Sequence, residues 1–231
     1  MGIVGSVGLG AVMSGTMGGG GSSSAPTVTP TATATAQAEE PSPEATPYQV
    51  KTYAEPPGMI IDTNNQYFAE IETERGIIRL ELFDDEAPQT VNNFVFLARD
   101  GFYDGLTFHY VDPELAAQAG DPACRASGVV TCIGEDGPGY TLPTEANDEE
   151  HVAGTVAMAE DQNQVANGSQ FFIALRDLPE LEGHNTVFGQ VVEGMDVVQS
   201  LTPRDPRDRT APPGDEILSV TIEEEAPAGT E

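Results

Sequence analysis

The chain has no tryptophan, only two cysteines and three histidines, and a single lysine, Lys51, among its nine basic residues. With 38 acidic side chains against 9 basic ones, and a formal charge of -29, it lacks the basic surface needed to hold a phosphate backbone or an anionic lipid face. Nucleic acid is therefore excluded as a partner. The acidity itself fits either a well-solvated surface or adaptation to salt. Two cysteines cannot complete a four-ligand zinc site, and His109, His151 and His184 are too scattered to supply the missing ligands. No metal and no cofactor is implied. There is no fixed-period repeat, no heptad and no glycine-rich phosphate loop. A long, strongly apolar run is also missing: the opening MGIVGSVGLGAVMSGTMGGG is apolar but full of glycine and carries no charge. It fits neither a membrane span nor a secretory signal with a positive first region. Residues 1–21 are either the remnant of an anchor or signal, behind a misassigned start, or a flexible glycine-rich tail.

What the chain does have is unevenly placed. All nine phenylalanines lie between Phe68 and Phe188, which puts one core, and hence one domain, at 66–225. Residues 22–65 are rich in Ser, Thr, Ala, Pro and acid. They bury too little to offset their ordering entropy, so a disordered linker is expected, with 226–231 as a short tail. A linker of this kind fits an extracytoplasmic domain tethered to a membrane, with a cytoplasmic location as the alternative and a monomer as the default. Cys124 and Cys132, in PACRASGVVTCIG, either form a loop disulfide outside the cytoplasm or stay as two thiols.

Periodicity gives the elements. YFAEIETERGIIRLELF alternates on both sides of Glu74, Arg75 and Gly76 and predicts a hairpin, with Phe68, Ile71, Ile78, Leu80 and Leu82 facing a core. Apolar residues at helical spacing behind Pro88 predict a helix over 88–99 closed by Gly101, and a second short helix is expected at GMDVVQSL. LTFHYV, AAQAG, VAGTVAMA, SQFFIAL, NTVFGQVV and EILSVTIEE predict short strands between turn residues. A mainly β fold with two helices follows, and closing it into an antiparallel barrel would remove exposed strand edges.

NGS at 167–169 alone matches a glycosylation acceptor, but it runs directly into QFF. The order YDG-TFH, QxGDP, GPGYT, HVxGTVAMA, NGSQFFI and VFGQVVEGMDVV resembles the cyclophilin-type peptidyl-prolyl cis-trans isomerases from about Tyr67 to Ile222. That resemblance implies a closed eight-stranded antiparallel β-barrel capped by two α-helices, proline-containing peptide segments as partners, and a peptide groove on the outer wall. It also implies roles residue by residue. Phe172 would floor the proline pocket, with Gln170 beside it and Gln118 holding the peptide carbonyl. Leu115 and Ala116 stand where the family usually has phenylalanine and methionine, and Glu180 where many members have tryptophan. Leu181 matches a rim leucine, Ala159 and Glu160 fit an alanine and asparagine that bind substrate backbone, and Asn185 takes the place of a histidine.

The largest departure is FHY for the family's FHR. Tyr110 replaces an arginine that donates to the prolyl nitrogen, so Tyr110 is expected to face the groove and Phe108 the core. The phenol either acts as a weaker donor or fills space left by Leu115 and Ala116. Arg125 either rescues the missing charge or is an exposed loop cation, and His109 is more naturally structural than a proton carrier. Three functions follow: an isomerase of reduced activity assisting protein folding, a proline-peptide-binding chaperone or adaptor without useful turnover, or an interaction carried by the acidic linker and tail.

Overall fold

The structure, a computed structural model, describes residues 50–126, 132, 134–160, 165–181, 183–208 and 210–226. The expected anchor, the linker up to 49 and most of the tail lie outside the described residues. Among the described residues no helix is long and apolar enough to cross a membrane.

Alternation builds the first hairpin, β1 (Gln66–Thr73) with β2 (Gly76–Leu82), where Tyr67 pairs with Leu82 and Ile71 with Ile78. Tyr67, Ala69, Ile71, Ile78, Leu80 and Leu82 point inward and are buried. Phe68 does not join them. Phe68 and Ile71 have opposite parity on a strand of period two, so only one can face the core. Phe68 instead lies outside under the Arg79 guanidinium, 4.6 Å from the ring centre. Helix α1 (Pro88–Arg99) follows, its first turn capped from a distance: Glu145 accepts from the Gln89 and Thr90 backbone N–H groups at 3.1 and 2.7 Å. Phe94 on α1 centres the core, with ring centroids 5.1 Å from Tyr103, 5.6 Å from Phe171 and 5.3 Å from Phe188.

The remaining elements are β3 (Tyr110–Asp112), β4 (Ala116–Ala119), β5 (Thr155–Glu160), β6 (Ala166–Ala174), a 3-10 turn (Pro179–Leu181), β7 (Val187–Glu193), α2 (Met195–Gln199) and β8 (Ile217–Glu225). All strand pairs are antiparallel, in the order β3-β4-β6-β5-β7-β2-β1-β8. The ladder itself is open, with β3 and β8 as its outer strands. LTFHYV contributes only its end to β3; Leu106 and Thr107 form isolated bridges to Arg125 and Glu216 instead. Just before β3, Gly105 donates to Ile217 O at 2.7 Å, Phe108 donates to Asp215 O at 2.9 Å, and Leu106 O accepts from Ile217 N at 2.8 Å. These bonds tie the segment that leads into β3 to the head of β8.

The domain begins earlier than Gln66. Tyr53 rests edge-on against Phe96 (5.3 Å), donates through its phenol to Asp100 Oδ2 at 2.7 Å and through its backbone N–H to Pro138 O at 2.8 Å. Asn92 Oδ1 accepts from Ile60 N, and its Nδ2 donates to Gly58 O. Residues 50–65 therefore dock as an arm on α1. Composition reads this stretch as linker because backbone and polar groups hold it, with little apolar periodicity.

Candidate active site

Strand register sets one row of side chains on the outer face of the sheet. Tyr110 pairs with Gln118, Gln118 with Phe172 and Phe172 with Ala157, so β3, β4, β6 and β5 present these four residues side by side. The next row holds Ala116 opposite Ala174. Phe172, Ala116, Ala157, Ala174, Leu178 and Val187 form a small apolar cluster separate from the main core, with Leu115, Ala159, Leu181 and Phe83 packed against it. Five residues singled out from the sequence, Leu115, Ala116, Ala159, Phe172 and Leu181, thus meet at one place. Phe83 and His151 join them although the sequence singles out neither as a site residue. Phe83 ends the hairpin run YFAEIETERGIIRLELF just after β2, and the ring of His151, which opens HVxGTVAMA, stacks on Phe172 at 6.4 Å and 17°.

The polar side of the row is organised by amides. Gln118 Nε2 donates to Gln170 Oε1 at 2.7 Å, and Gln170 Nε2 donates to Asp136 O at 2.8 Å. This relay fixes which end of each amide is which and leaves Gln118 a carbonyl oxygen and a second N–H for a ligand. The NGS motif serves the same strand: Asn167 Oδ1 accepts from Ser169 N at 3.2 Å and Gln170 N at 2.9 Å, and Ser169 is fully buried.

Tyr110 is half-buried and faces outward, while Phe108 is in the core. Burial first, then the carboxylates of Asp112 and Asp205, raise the Tyr110 phenol above its usual 10, with Arg207 pulling the other way. The hydroxyl therefore keeps its proton at neutral pH and can donate. Tyr110 lines two neighbouring hollows: a groove of about 430 Å³ shared with Asp112, Arg204 and Asp208, and one of about 120 Å³ shared with His109, Gln118, Pro206 and Arg207.

Other expected residues are otherwise engaged. Glu160 accepts from the Thr144 hydroxyl at 2.8 Å, Asn185 Nδ2 donates to Met158 O at 2.9 Å, and the exposed Glu180 pairs with Arg176 at 2.7 Å. Cys124 and Cys132 are joined as a disulfide. Arg125 sits beside that bridge and donates to Asp104 O, in a hollow that Tyr110 does not line. The idea that it restores the missing charge at Tyr110 has no support from this geometry.

His109 is buried; burial and, next, the Arg204 guanidinium lower its pKa from 6.5 to about 4, against a weaker upward pull from the Thr107 backbone. A neutral imidazole of this kind is not a proton carrier at pH 7. In the unfolded chain it protonates near 6.5, so between about 6.5 and about 4 the unfolded state binds more protons and stability falls as pH drops. The whole window corresponds to on the order of 3 kcal/mol. Urea midpoints for His109→Gln should show a shallower pH dependence across that window; an unchanged slope would assign the titration to other groups.

A family model for cyclophilin type peptidyl-prolyl cis-trans isomerase/CLD matches residues 68–222. The chain belongs to the cyclophilin family. It is 47% identical over 154 residues to a peptidyl-prolyl cis-trans isomerase of Synechococcus elongatus, covering 66% of this chain and 93% of that one. To peptidyl-prolyl cis-trans isomerase B of Bacillus subtilis it is 42% identical over 127 residues, covering 54% and 82%. Among solved structures, a cyclophilin type isomerase of Cryptosporidium parvum superposes with a TM-score of 0.57 at 27% identity, covering 68% of this chain and 98% of that one. The same isomerase in the presence of the dipeptide Ala-Pro gives a TM-score of 0.56, also at 27% identity and with the same coverage. The cyclophilin fold thus carries an outer row in which Tyr110, Gln118 and Phe172 are neighbours.

Proposed function

We propose that this cyclophilin is a slow peptidyl-prolyl cis-trans isomerase that turns Xaa-Pro bonds in proline-containing segments of folding proteins, on a barrel closed by the bonds between 105–108 and 215–217. The observation that carries this reading is the row itself: an apolar floor at Phe172 lies next to an oriented amide at Gln118 and a protonated phenol at Tyr110. Rotation about the prolyl bond must overcome about 18–20 kcal/mol of amide resonance, and no nucleophile is required for it. The Phe172 cluster would hold the proline ring while Gln118 holds a flanking carbonyl. As the bond twists, the prolyl nitrogen becomes pyramidal and accepts a hydrogen bond that it cannot accept when planar. A donor positioned for that moment lowers the barrier without tightening ground-state binding.

A neutral phenol is a poorer donor than a guanidinium, and loss of one transition-state donor typically costs about 100- to 1000-fold in rate. Tyr110→Arg is therefore expected to speed catalysed exchange of an Ala-Ala-Pro-Phe peptide, followed by exchange NMR, by about tenfold or more. Exchange slower than wild type in this variant would show that the phenol is not a substitute for the arginine. Peptide line broadening without any exchange in wild type would favour the second reading, a proline-peptide-binding module that has lost turnover. The departures at Leu115, Ala116 and Glu180 speak for that reading. The Gln118–Gln170 relay and the assembled Phe172 cluster speak for the enzyme.

A further inference from the structure

The segment between α2 and β8, LTPRDPRDRTAPPGDE, is not a free loop over its described length. Arg204 and Val111 exchange backbone hydrogen bonds at 2.8 and 2.9 Å, which fixes the segment to the outer edge of β3. The Arg204 side chain secures it further, donating through Nε to His109 O at 3.1 Å and through Nη1 to Pro212 O. From that anchor the chain makes two tight turns. Arg207 N donates to Asp205 Oδ1 at 2.9 Å, Asp208 N donates to Asp205 O at 3.0 Å, and Thr210 N donates to Asp208 Oδ1 at 2.8 Å. Pro206, with its fixed φ, lies inside the first turn. The outcome is that Pro206 and Arg207 form one wall of the 120 Å³ hollow whose other walls include Tyr110 and Gln118.

The other described guanidiniums near this row are committed elsewhere. Arg204 bonds to two carbonyl oxygens, Arg176 to Glu114 O, Asp177 O and Glu180, and Arg125 to Asp104 O. Arg207 differs. Its side chain is 81% exposed, and its ion pair with Asp205 is loose, at 3.6 Å. We propose that Arg207 supplies the cationic donor that position 110 lacks, reaching from the 203–214 segment across the hollow to a peptide held by Tyr110, Gln118 and Phe172. In this arrangement the phenol and the guanidinium act together on one bond. Tyr110 is fixed by its strand, and Arg207 swings from Asp205 to the twisting amide. The positive end of the site then comes from a turn rather than from the sheet, which makes the rate sensitive to salt as well as to the turn's geometry.

This inference rests on the isomerase reading above, and its test separates the two. Exchange NMR of an Ala-Ala-Pro-Phe peptide would be run with full-length wild type, Arg207→Gln, Arg207→Lys and Arg209→Gln, with peptide Kd taken from the same titrations. Arg207→Gln is expected to lower the catalysed rate by about tenfold while Kd stays within about twofold, the signature of a donor used in the transition state. Arg207→Lys is expected to recover part of that loss, and Arg209→Gln to behave as wild type. Wild-type exchange in Arg207→Gln overturns the proposal, as does an equal loss in Arg207→Gln and Arg209→Gln, which would point to general charge rather than to one donor. If wild type binds the peptide but does not exchange it, the role of Arg207 falls and the binding-module reading stands. If wild type does neither, the isomerase reading falls with it.

Discussion

Gly120→Ala is expected to destabilise the domain by several kcal/mol and to disconnect the amide relay in whatever remains folded. Gly120 closes β4 at φ +97, and a Cβ there would lie 2.2 Å from the Ser169 carbonyl oxygen and 2.9 Å from Gln170 Cα. Both neighbours are backbone and cannot rotate away. The left-handed conformation costs a non-glycine residue about 1–3 kcal/mol, and overpacking adds about 1–3 kcal/mol more. The local contacts give no slack, since Ser169 Oγ donates to Gly120 O at 2.8 Å and Ser169 O accepts from the Tyr103 hydroxyl at 3.3 Å. Relief must come from separating the end of β4 from the start of β6, which pulls Gln118 away from Gln170. Urea denaturation would report the first effect and peptide titration the second. A midpoint equal to that of wild type would mean that the two backbones are less tightly apposed than the structure has them.

Phe172→Ala is expected to abolish detectable peptide binding and to cost about 3–5 kcal/mol, the range for removing a buried aromatic ring. The high end applies here because the neighbours are small. Ala116, Ala157 and Ala174 cannot expand into the space, and the His151 ring loses the surface it stacks on. Equilibrium unfolding and NMR titration with the Ala-Ala-Pro-Phe peptide would check both parts. Retained binding would move the proline pocket off Phe172 altogether.

Periodicity and motif order reach a good deal of this architecture, and the exceptions have physical reasons. Helix α1 and the hairpin follow from spacing alone, and the residue-by-residue resemblance singles out Phe172, Leu115, Ala116 and Leu181, which meet in one cluster. Phe68 reads as core because it is aromatic, whereas strand parity sends it outward. Residues 50–65 read as linker because their attachment depends on Asn92 and Asp100, polar partners dozens of positions away that no local pattern reveals. Phe83 and His151 join the pocket from loops, where orientation is set by tertiary packing. The position of Arg207 beside Tyr110 follows from a two-residue bridge between Val111 and Arg204, too short to leave any alternation in the sequence.

That bridge also bears on how a client can be held. Val111 is the middle residue of β3, and both of its outward-facing backbone groups are occupied by Arg204. At the other outer strand, the head of β8 is bonded to Gly105 and Leu106, and its far end carries Glu223, Glu224 and Glu225, with Arg79 and Arg99 paired to the first two. A partly unfolded polypeptide presents unpaired strand segments that would readily extend any open ladder. Here it finds occupied or acid-lined margins instead. What is left for it is the face with Phe172, Gln118 and Tyr110; on the proposed isomerase reading, selection would fall on a proline and its flanking carbonyl, and a passing chain would be released without having been annealed to the sheet.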